Sequence, residues 1–327
     1  MHVTTLTWAI TVLVILGLFV FDFYAHVRTP HEPTFRESAF WSSVYIGIAL
    51  LFGGLVAWRW GGTYAGEYYA GFVTEKALSV DNLFIFLIIM STFAVPRMYQ
   101  QKVLLIGIVL ALVMRGVFIA VGAAAISAWS WVFYLFGAFL IYTAVKLLKE
   151  SGHEEEVEEK RDSRIVALAK KILPTTQEYD GDKLVTRIDG HRAVTPLFLA
   201  LLAIGFADLL FALDSIPAIY GLTEQPYLVF TANAFALMGL RQLYFLIGGL
   251  LDRLVYLSYG LAAILAFIGV KLVLHALHEN TLSFINGGEP VSVPEITTPV
   301  SLSVIIGILA VATVASLAKT RGTVKQD

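Results

Sequence analysis

Long apolar stretches follow one another along nearly the whole chain, with short polar connections between them. A helix needs about 20 predominantly apolar residues to cross a bilayer. Stretches of about that length recur at 3–25, 40–60, 66–92, 103–124, 129–149, 194–220, 227–249, 253–277 and 299–318. The pattern predicts an all-α, polytopic membrane helix bundle with about nine transmembrane helices. The first stretch lacks the basic start of a cleaved secretory signal, so we expect it to remain as a membrane helix.

Composition agrees with this fold class, because 57% of the 327 residues are hydrophobic and only 15% are charged. A soluble domain does not bury that much apolar surface, so we expect a lipid bilayer around the chain. The net charge of −2 gives no indication of a nucleic-acid partner. The sequence contains no cysteine, which leaves histidine and carboxylate as metal ligands.

The connections differ in charge, and this difference predicts the orientation. One side carries most of the basic residues: Arg28, Arg36, Arg97, Lys102, Arg253, Lys319, Arg321 and Lys325, together with those of a long loop. The positive-inside rule therefore places the N-terminus outside and the C-terminus in the cytoplasm. We divide the chain into two N-terminal helices (1–65), a first three-helix repeat (66–150), a charged cytoplasmic loop (151–192), a second three-helix repeat (193–280), and an external loop with the last helix and tail (281–327).

The loop at 150–192 is the one sizeable polar segment, and it opens with the acidic run HEEEVEEK. The following SRIVALAKKILP spaces its apolar residues as one helical stripe, which favours a helix on the inner membrane surface. A solvated linker, with its helix packed on the loops of the bundle, is the alternative. In either case the loop is a candidate docking surface for a protein partner.

Acidic residues inside two of the apolar stretches repeat with the same spacing. Six residues separate the members of each pair, Glu75 and Asp81 in the third stretch and Asp208 and Asp214 in the sixth. A polar residue follows the second acid in both, as Asn82 and Ser215. The repeat extends further, since Arg115 precedes Lys146 by 31 residues and Arg241 precedes Lys271 by 30. Three helices per unit force the copies into opposite orientations, as in many secondary transporters.

These acids need partners, because a charged side chain at a helix centre costs about 2.5–3.5 kcal/mol. Clustered carboxylates and freed carbonyls would suit a hard divalent ion such as Mn²⁺, Mg²⁺ or Ca²⁺. We expect Pro217 to break or kink the sixth helix beside its acids and so to free carbonyls there. The alternative is a neutral buried network, in which Asp81 or Asp214 pairs with Arg115, Arg241, Lys146 or Lys271.

Longer segments resemble the TerC family of integral membrane proteins over roughly residues 15–280. They include GFVTEKALSVDNLF around Glu75, FADLLFALDSIPAIYGLTEQPYLVFTANAFALMGLRQLYFL from Phe206, and the shorter FDFYAH, VMRGVF, YLFGAFLIYTAVKLL and TRIDGHRAVTPLFLALL. The resemblance implies a nine-helix protein of the bacterial inner membrane, tied to Mn²⁺ export and, in other members, to tellurite resistance or metal supply to secreted proteins. Asp22 and the four paired acids match acidic positions of the family. Gly205 departs from it, because the resemblance leads us to expect an acid three residues before Asp208.

Together these observations predict a secondary transporter that exports Mn²⁺, in exchange for protons, and needs no organic cofactor. The predicted metal site comprises Asp22, Glu75, Asp81, Asn82, Asp208, Asp214 and Ser215, with Arg115 and Arg241 as supporting counter-charges. Asp81 and Asp214 would be the central ligands. No enzymatic centre is predicted, since phosphate-loop, nucleotide and nucleophile motifs are missing from the sequence. The alternatives are a membrane scaffold that supplies metal to partner proteins, and an exporter of another cation such as Ca²⁺.

Overall fold

A computed structural model of the protein describes residues 1–28, 31–150, 174–176, 178–188, 191–247 and 255–323. Helices make up most of these ranges, and one two-stranded sheet lies in the long loop. The helices are α1 (Thr5–Asp22), α2 (Phe35–Trp60), α3 (Gly62–Thr92), α4 (Arg97–Ala128), α5 (Val132–Glu150), α6 (Pro196–Tyr220), α7 (Pro226–Leu237), α8 (Leu240–Ile247), α9 (Leu257–His278) and α10 (Thr298–Thr323). The strands are β1 (Val185–Ile188) and β2 (His191–Val194), and a π-helical turn, Phe23–Val27, extends α1.

Seven of the described helices are long and apolar enough to cross a membrane. They are α1 with its π-turn, α2, α4, α5, α6, α9 and α10. The third predicted stretch is also one helix, α3, but its charged residues make it more polar than these seven. The seventh predicted stretch is two shorter helices, α7 and α8. The helical membrane fold is therefore confirmed, whereas the count of nine spans stays a prediction.

Local sequence signals account for several helix ends. The side chain of Thr4 accepts a hydrogen bond from the backbone N–H of Thr7 at the start of α1. Thr34 and Glu37 form a reciprocal capping box at the start of α2. Proline occupies the first turn of both α6 and α7, where its missing N–H costs no helical hydrogen bond.

α6 continues through Pro217 to Tyr220, so the predicted break is wrong, whereas the predicted kink stays a prediction. Because proline has no N–H, Pro217 leaves the carbonyl of Leu213, next to Asp214, without its usual helical partner. The break falls instead at Met238 and Gly239, between α7 and α8.

Gly239 makes that break sterically possible. Its φ of +78° is a conformation that side chains with a Cβ rarely adopt. A Cβ at this position would also lie 3.1 Å from the Cβ of Tyr45, so α2 packs directly against the break. Only glycine meets both requirements here.

The helices of the two predicted repeats pack reciprocally. α3 packs against α7 while α4 packs against α6, and α5 and α9 make an extensive contact with each other. Gly137 of α5 and Gly269 of α9 lie at this crossing, where a Cβ on Gly269 would come within 2.9 Å of the Gly137 carbonyl oxygen. Small residues of this kind let membrane helices approach closely.

The centre and the periphery of the bundle differ in burial. α4, α6 and α9 are the most buried of the seven apolar helices, and α1 and α10 are the least. Peripheral helices turn large apolar side chains outward, among them Leu13, Leu51 and Val311. These side chains would contact lipid in a bilayer, so a lipid environment is confirmed as the surroundings of the fold.

The long loop is described in part. The predicted amphipathic helix falls within 151–173 and lies outside the described residues. The later part forms the antiparallel β1–β2 hairpin, with Val185 opposite Val194. Several hydrogen bonds attach this part to the bundle, among them that of the Tyr179 hydroxyl to the Phe93 carbonyl at 2.6 Å and that of Lys102 Nζ to Asp182 Oδ2 at 2.6 Å. This part of the loop is therefore docked on the end of the bundle where α3 meets α4.

Candidate functional site

Arg115 of α4 is the centre of a buried polar cluster and is itself 0% exposed. Its Nη2 and Nε donate to the two carboxylate oxygens of Asp208, at 3.0 and 3.2 Å. Nη1 contacts the carboxylate of Glu75 and donates to Asn233 Oδ1 at 2.7 Å and to Ser215 Oγ at 3.2 Å. The cluster therefore joins α3, α4, α6 and α7, and we call it the Arg115 cluster.

The charges of the Arg115 cluster do not balance. One guanidinium faces two carboxylates, those of Glu75 and Asp208, which leaves a formal surplus of one negative charge. Oε2 of Glu75 makes no hydrogen bond of normal geometry to any described residue, and the same holds for Ser79 Oγ. Both side chains are fully buried. The cluster thus has spare acceptor capacity and a charge that an additional proton or cation would neutralise.

Several oxygens of α3 lie on one face of the helix. Glu75, Ser79 and Asn82 follow one another at i, i+4 and i+7, a spacing that aligns side chains along a helix. Each of the three is buried. The polar residues of the third stretch therefore form a stripe inside the bundle and do not face lipid.

Lys76 binds the end of a neighbouring helix, a role that the sequence analysis did not assign. Its Nζ donates to the carbonyl oxygens of Ala236 at 2.9 Å and Met238 at 3.3 Å. These carbonyls belong to the C-terminal end of α7, which lacks helical partners for them and favours a positive charge. Lys76 thus binds the broken helix, one residue along α3 from the Arg115 cluster.

Asp214, another predicted ligand, makes its described hydrogen bond outside the Arg115 cluster. Asp214 is half-buried on another side of α6, where Thr143 Oγ1 of α5 donates to its Oδ1 at 3.2 Å. Asp81 lies in α3, and its side chain is outside the described part of the structure. No group of three or more histidine and carboxylate side chains in metal-binding geometry occurs among the described residues. The metal-ligand assignment of these residues stays a prediction.

Asp22 lies in a second buried cluster, which also contains Arg241. Its Oδ1 accepts from the Tyr45 hydroxyl at 2.7 Å, from Arg241 Nη2 at 2.8 Å and from Gln242 Nε2 at 3.1 Å. Arg241 also contacts the side chain of Gln101. We call this group the Asp22 cluster; it joins α1, α2, α4 and α8.

Both predicted counter-charges therefore pair with buried acids. Arg115 binds Glu75 and Asp208, and Arg241 binds Asp22. The alternative pairing of Asp81 or Asp214 with a basic residue stays a prediction, because the Asp81 side chain lies outside the described part of the structure. The sequence analysis missed several neutral members of the clusters: Tyr45, Gln101, Asn233 and Gln242. Asn233, inside the apolar run of the seventh stretch, gave the clearest signal, because an amide there needs a partner.

Gly205 lies where α6 crosses α4. A Cβ at this position would be 2.9 Å from Leu110 Cδ2, and Gly205 is buried. A carboxylate here would need space that Leu110 of α4 now fills. Glycine, in place of the expected acid, thus allows α6 and α4 to pack closely at a position three residues before Asp208 of the Arg115 cluster.

Comparison with known proteins identifies the family of the chain. The sequence model of the integral membrane protein TerC family matches residues 60–324. The chain belongs to the TerC family. Both polar clusters include residues of this matched region, whereas Asp22 and Tyr45 precede it.

TerC relatives of this chain come from distant organisms. An uncharacterized membrane protein of Mycobacterium tuberculosis is 53% identical over 323 residues, which cover 98% of this chain and 81% of that protein. The chloroplastic thylakoid membrane protein TERC of Arabidopsis thaliana is 40% identical over 74% of this chain and 62% of its own length. A Shigella flexneri membrane protein, Alx, whose name gives it a proposed role as a redox modulator, is 35% identical over 94% of this chain and 92% of its own length. No solved structure matches the chain.

Proposed function

We propose that this TerC protein is a secondary transporter that exports divalent metal cations, with Mn²⁺ as the substrate, in exchange for protons. The observation that carries the proposal is the uncompensated charge of the Arg115 cluster, in which one fully buried guanidinium faces two buried carboxylates. Either a proton or a cation can neutralise this surplus. A cation bound beside this surplus and a proton bound on it would disfavour each other electrostatically, which is the physical basis of exchange.

The transported ion would bind next to this cluster. Asp81 and Asp214 are its central ligands in the proposal, and Asn82 contributes a neutral oxygen. Glu75 and Asp208 bind Arg115 and carry the exchanged proton. An all-oxygen set of this kind suits hard divalent ions.

The reciprocal packing of the helices supports an inverted repeat, with α3–α5 as one unit and α6–α9 as the other. Under this arrangement α3 corresponds to α6, and the broken pair α7–α8 corresponds to α4. The contact of α3 with α7 then mirrors that of α4 with α6. Discontinuous helices beside a site near the repeat interface are typical of secondary transporters.

A flux assay in vesicles that contain only this protein tests the proposal. Asp214→Asn keeps the size of the side chain and removes one negative charge, so we expect it to abolish Mn²⁺ flux while the protein still folds. Asp180→Asn is the matched control, because Asp180 lies on the exposed hairpin segment and pairs with Lys183 there. Undiminished flux in Asp214→Asn, or wild-type flux that ignores an imposed proton gradient, would overturn the ligand assignment or the exchange, respectively.

The same assay distinguishes two alternative functions from the proposed one. A metal-binding scaffold that hands metal to partners would bind Mn²⁺ without flux, and the docked hairpin offers it a surface fixed to the bundle by Lys102 and Tyr179. An exporter of another cation would carry Ca²⁺ in preference to Mn²⁺ in a panel of ions. Mn²⁺ flux that exceeds that of the other ions is the result that our proposal expects.

We further propose that the protein lies in the bacterial inner membrane with its N-terminus outside and its C-terminus in the cytoplasm. The basic connections support this orientation. A tag after Lys325 should be protected in right-side-out spheroplasts, and a tag before Met1 should be accessible. The reverse pattern would overturn the orientation.

A further inference from the structure

Two small cavities lie in series at the end of the bundle where α1 ends and α2 begins. Each leaves about 10 Å³ for the centre of a water-sized sphere, which is about the room that one water molecule requires. Asp22 and the helix break at Met238 and Gly239 line the first. His26 and Ser38 line the second, and Arg241 and Gln242 line both. The two cavities are therefore neighbours that share a polar wall.

Four buried polar atoms at this wall make no hydrogen bond to any described residue. They are His26 Nδ1, Ser38 Oγ, Arg241 Nε and Gln242 Oε1. Their residues are only 5%, 2%, 3% and 5% exposed, respectively. His26 Nδ1 lies 3.2 Å from Asp22 Oδ1 but without the geometry of a hydrogen bond. A buried polar atom without a hydrogen bond is unfavourable, so four together point to an occupant.

The chemistry of these atoms identifies the occupant as water. Arg241 Nε only donates, Gln242 Oε1 only accepts, and the Ser38 hydroxyl does both. Arg241 pairs with Asp22, and Glu37, the carboxylate that lines the second cavity, has its own partners in the Thr34 N–H and the His31 ring. Both carboxylates are therefore already engaged by protein donors. A neutral molecule that donates and accepts, and that fits about 10 Å³, satisfies all of these atoms.

The position of the cavities gives the water a route. The first cavity reaches Met238 and Gly239, at the break between α7 and α8. Lys76 binds the carbonyls of Ala236 and Met238 at that break, and its neighbour Glu75 belongs to the Arg115 cluster. We propose that the two cavities hold ordered water and form the route by which water reaches the helix break from the α1–α2 end of the bundle. The proposal does not depend on which ion the protein transports.

Radiolytic labelling of the full-length protein in ¹⁸O-water tests this proposal, because hydroxyl radicals formed from bound water oxidise the side chains next to it. Met238 lines the first cavity, whereas Met90 lines neither, and the two are 4% and 1% exposed. We expect Met238 to incorporate ¹⁸O at least several-fold faster than Met90. Equal rates for the two methionines would show a dry compartment and would overturn the proposal.

A second variant pair tests the direction of the route. Ser38→Leu fills the second cavity, and Ser43→Leu places the same side chain on the exposed face of α2. Labelling of Met238 should fall toward the level of Met90 in Ser38→Leu and should stay unchanged in Ser43→Leu. Unchanged labelling in Ser38→Leu would overturn the route from this end. Ser38→Val makes the same test with a smaller side chain if the leucine variant does not fold.

Discussion

Replacing Arg115 with methionine is expected to destabilise the protein strongly and to abolish transport. Methionine approximates the length of the arginine side chain but removes the guanidinium that binds Asp208 through two hydrogen bonds and contacts Glu75 and Asn233. Two carboxylates then remain in one fully buried site without their cation. The size of the effect follows from that burial.

Breaking a buried ion pair by removing one partner costs about 3–5 kcal/mol. The same change at Arg97, on the same helix, should have little effect on stability, because its pair with Glu32 is exposed and solvent screens it. Arg97 and Glu32 expose 75% and 55% of their side chains, whereas Arg115 and Glu75 expose 0%. We therefore expect Arg115→Met to lower the melting temperature by on the order of 10 °C more than Arg97→Met does.

Thermal unfolding of both variants in the same detergent measures this difference. A triple variant, Arg115→Met with Glu75→Gln and Asp208→Asn, removes the stranded charges and should recover most of the lost stability. Its transport should stay absent, because the uncompensated charge is gone. Equal melting temperatures for Arg115→Met and Arg97→Met would refute the stabilising role of the cluster, and recovered flux in the triple variant would refute its role in exchange.

Three further results are expected. Lys76→Met should cost about 1.5–3 kcal/mol through its lost charged hydrogen bonds to the end of α7, measured by thermal unfolding. Gly269→Ala should cost about 1–3 kcal/mol by pushing α9 from α5, whereas Gly307→Ala, with open space around it, should not. The hydrogen bond from Lys102 lowers the pKa of Asp182 below 3.8. Hairpin docking should therefore persist above pH 3.8 and be lost below the shifted pKa. Hydrogen exchange of the hairpin amides would show this loss, and unchanged protection of these amides at low pH would contradict it.

The sequence was sufficient to predict the membrane helices and to single out buried charged residues within them. Apolar stretches of membrane length located the helices, because only helices satisfy every backbone group within lipid. Duplicate spacing singled out Glu75 and Asp208 before any contact was known, and both lie on Arg115. A buried charge is costly enough to leave a pattern in the sequence.

Partner choice was not predictable, because it depends on packing between distant helices. Asp22 and Arg241 are 219 residues apart, and nothing local to either residue signals their pairing. The helix break was misplaced for a related reason. Pro217 has a strong local effect, whereas Gly239 acts through a φ of +78° and through the close approach of Tyr45, which only the folded structure shows.

The two buried arginines differ in whether their acidic partners lie inside or outside the proposed repeat. In the proposed inverted repeat, Arg115 and Arg241 would occupy corresponding places in the two units, because they have similar spacings to Lys146 and Lys271. Yet Arg115 binds an acid from each unit, while Arg241, just beyond the break, binds Asp22 of α1, which lies outside both units. If the units were fully symmetric, Arg241 would compete for the acids that Arg115 binds and would cancel their negative surplus. By giving Arg241 a separate carboxylate, α1 preserves the uncompensated charge at the Arg115 cluster on which the proposed exchange of cation and proton depends.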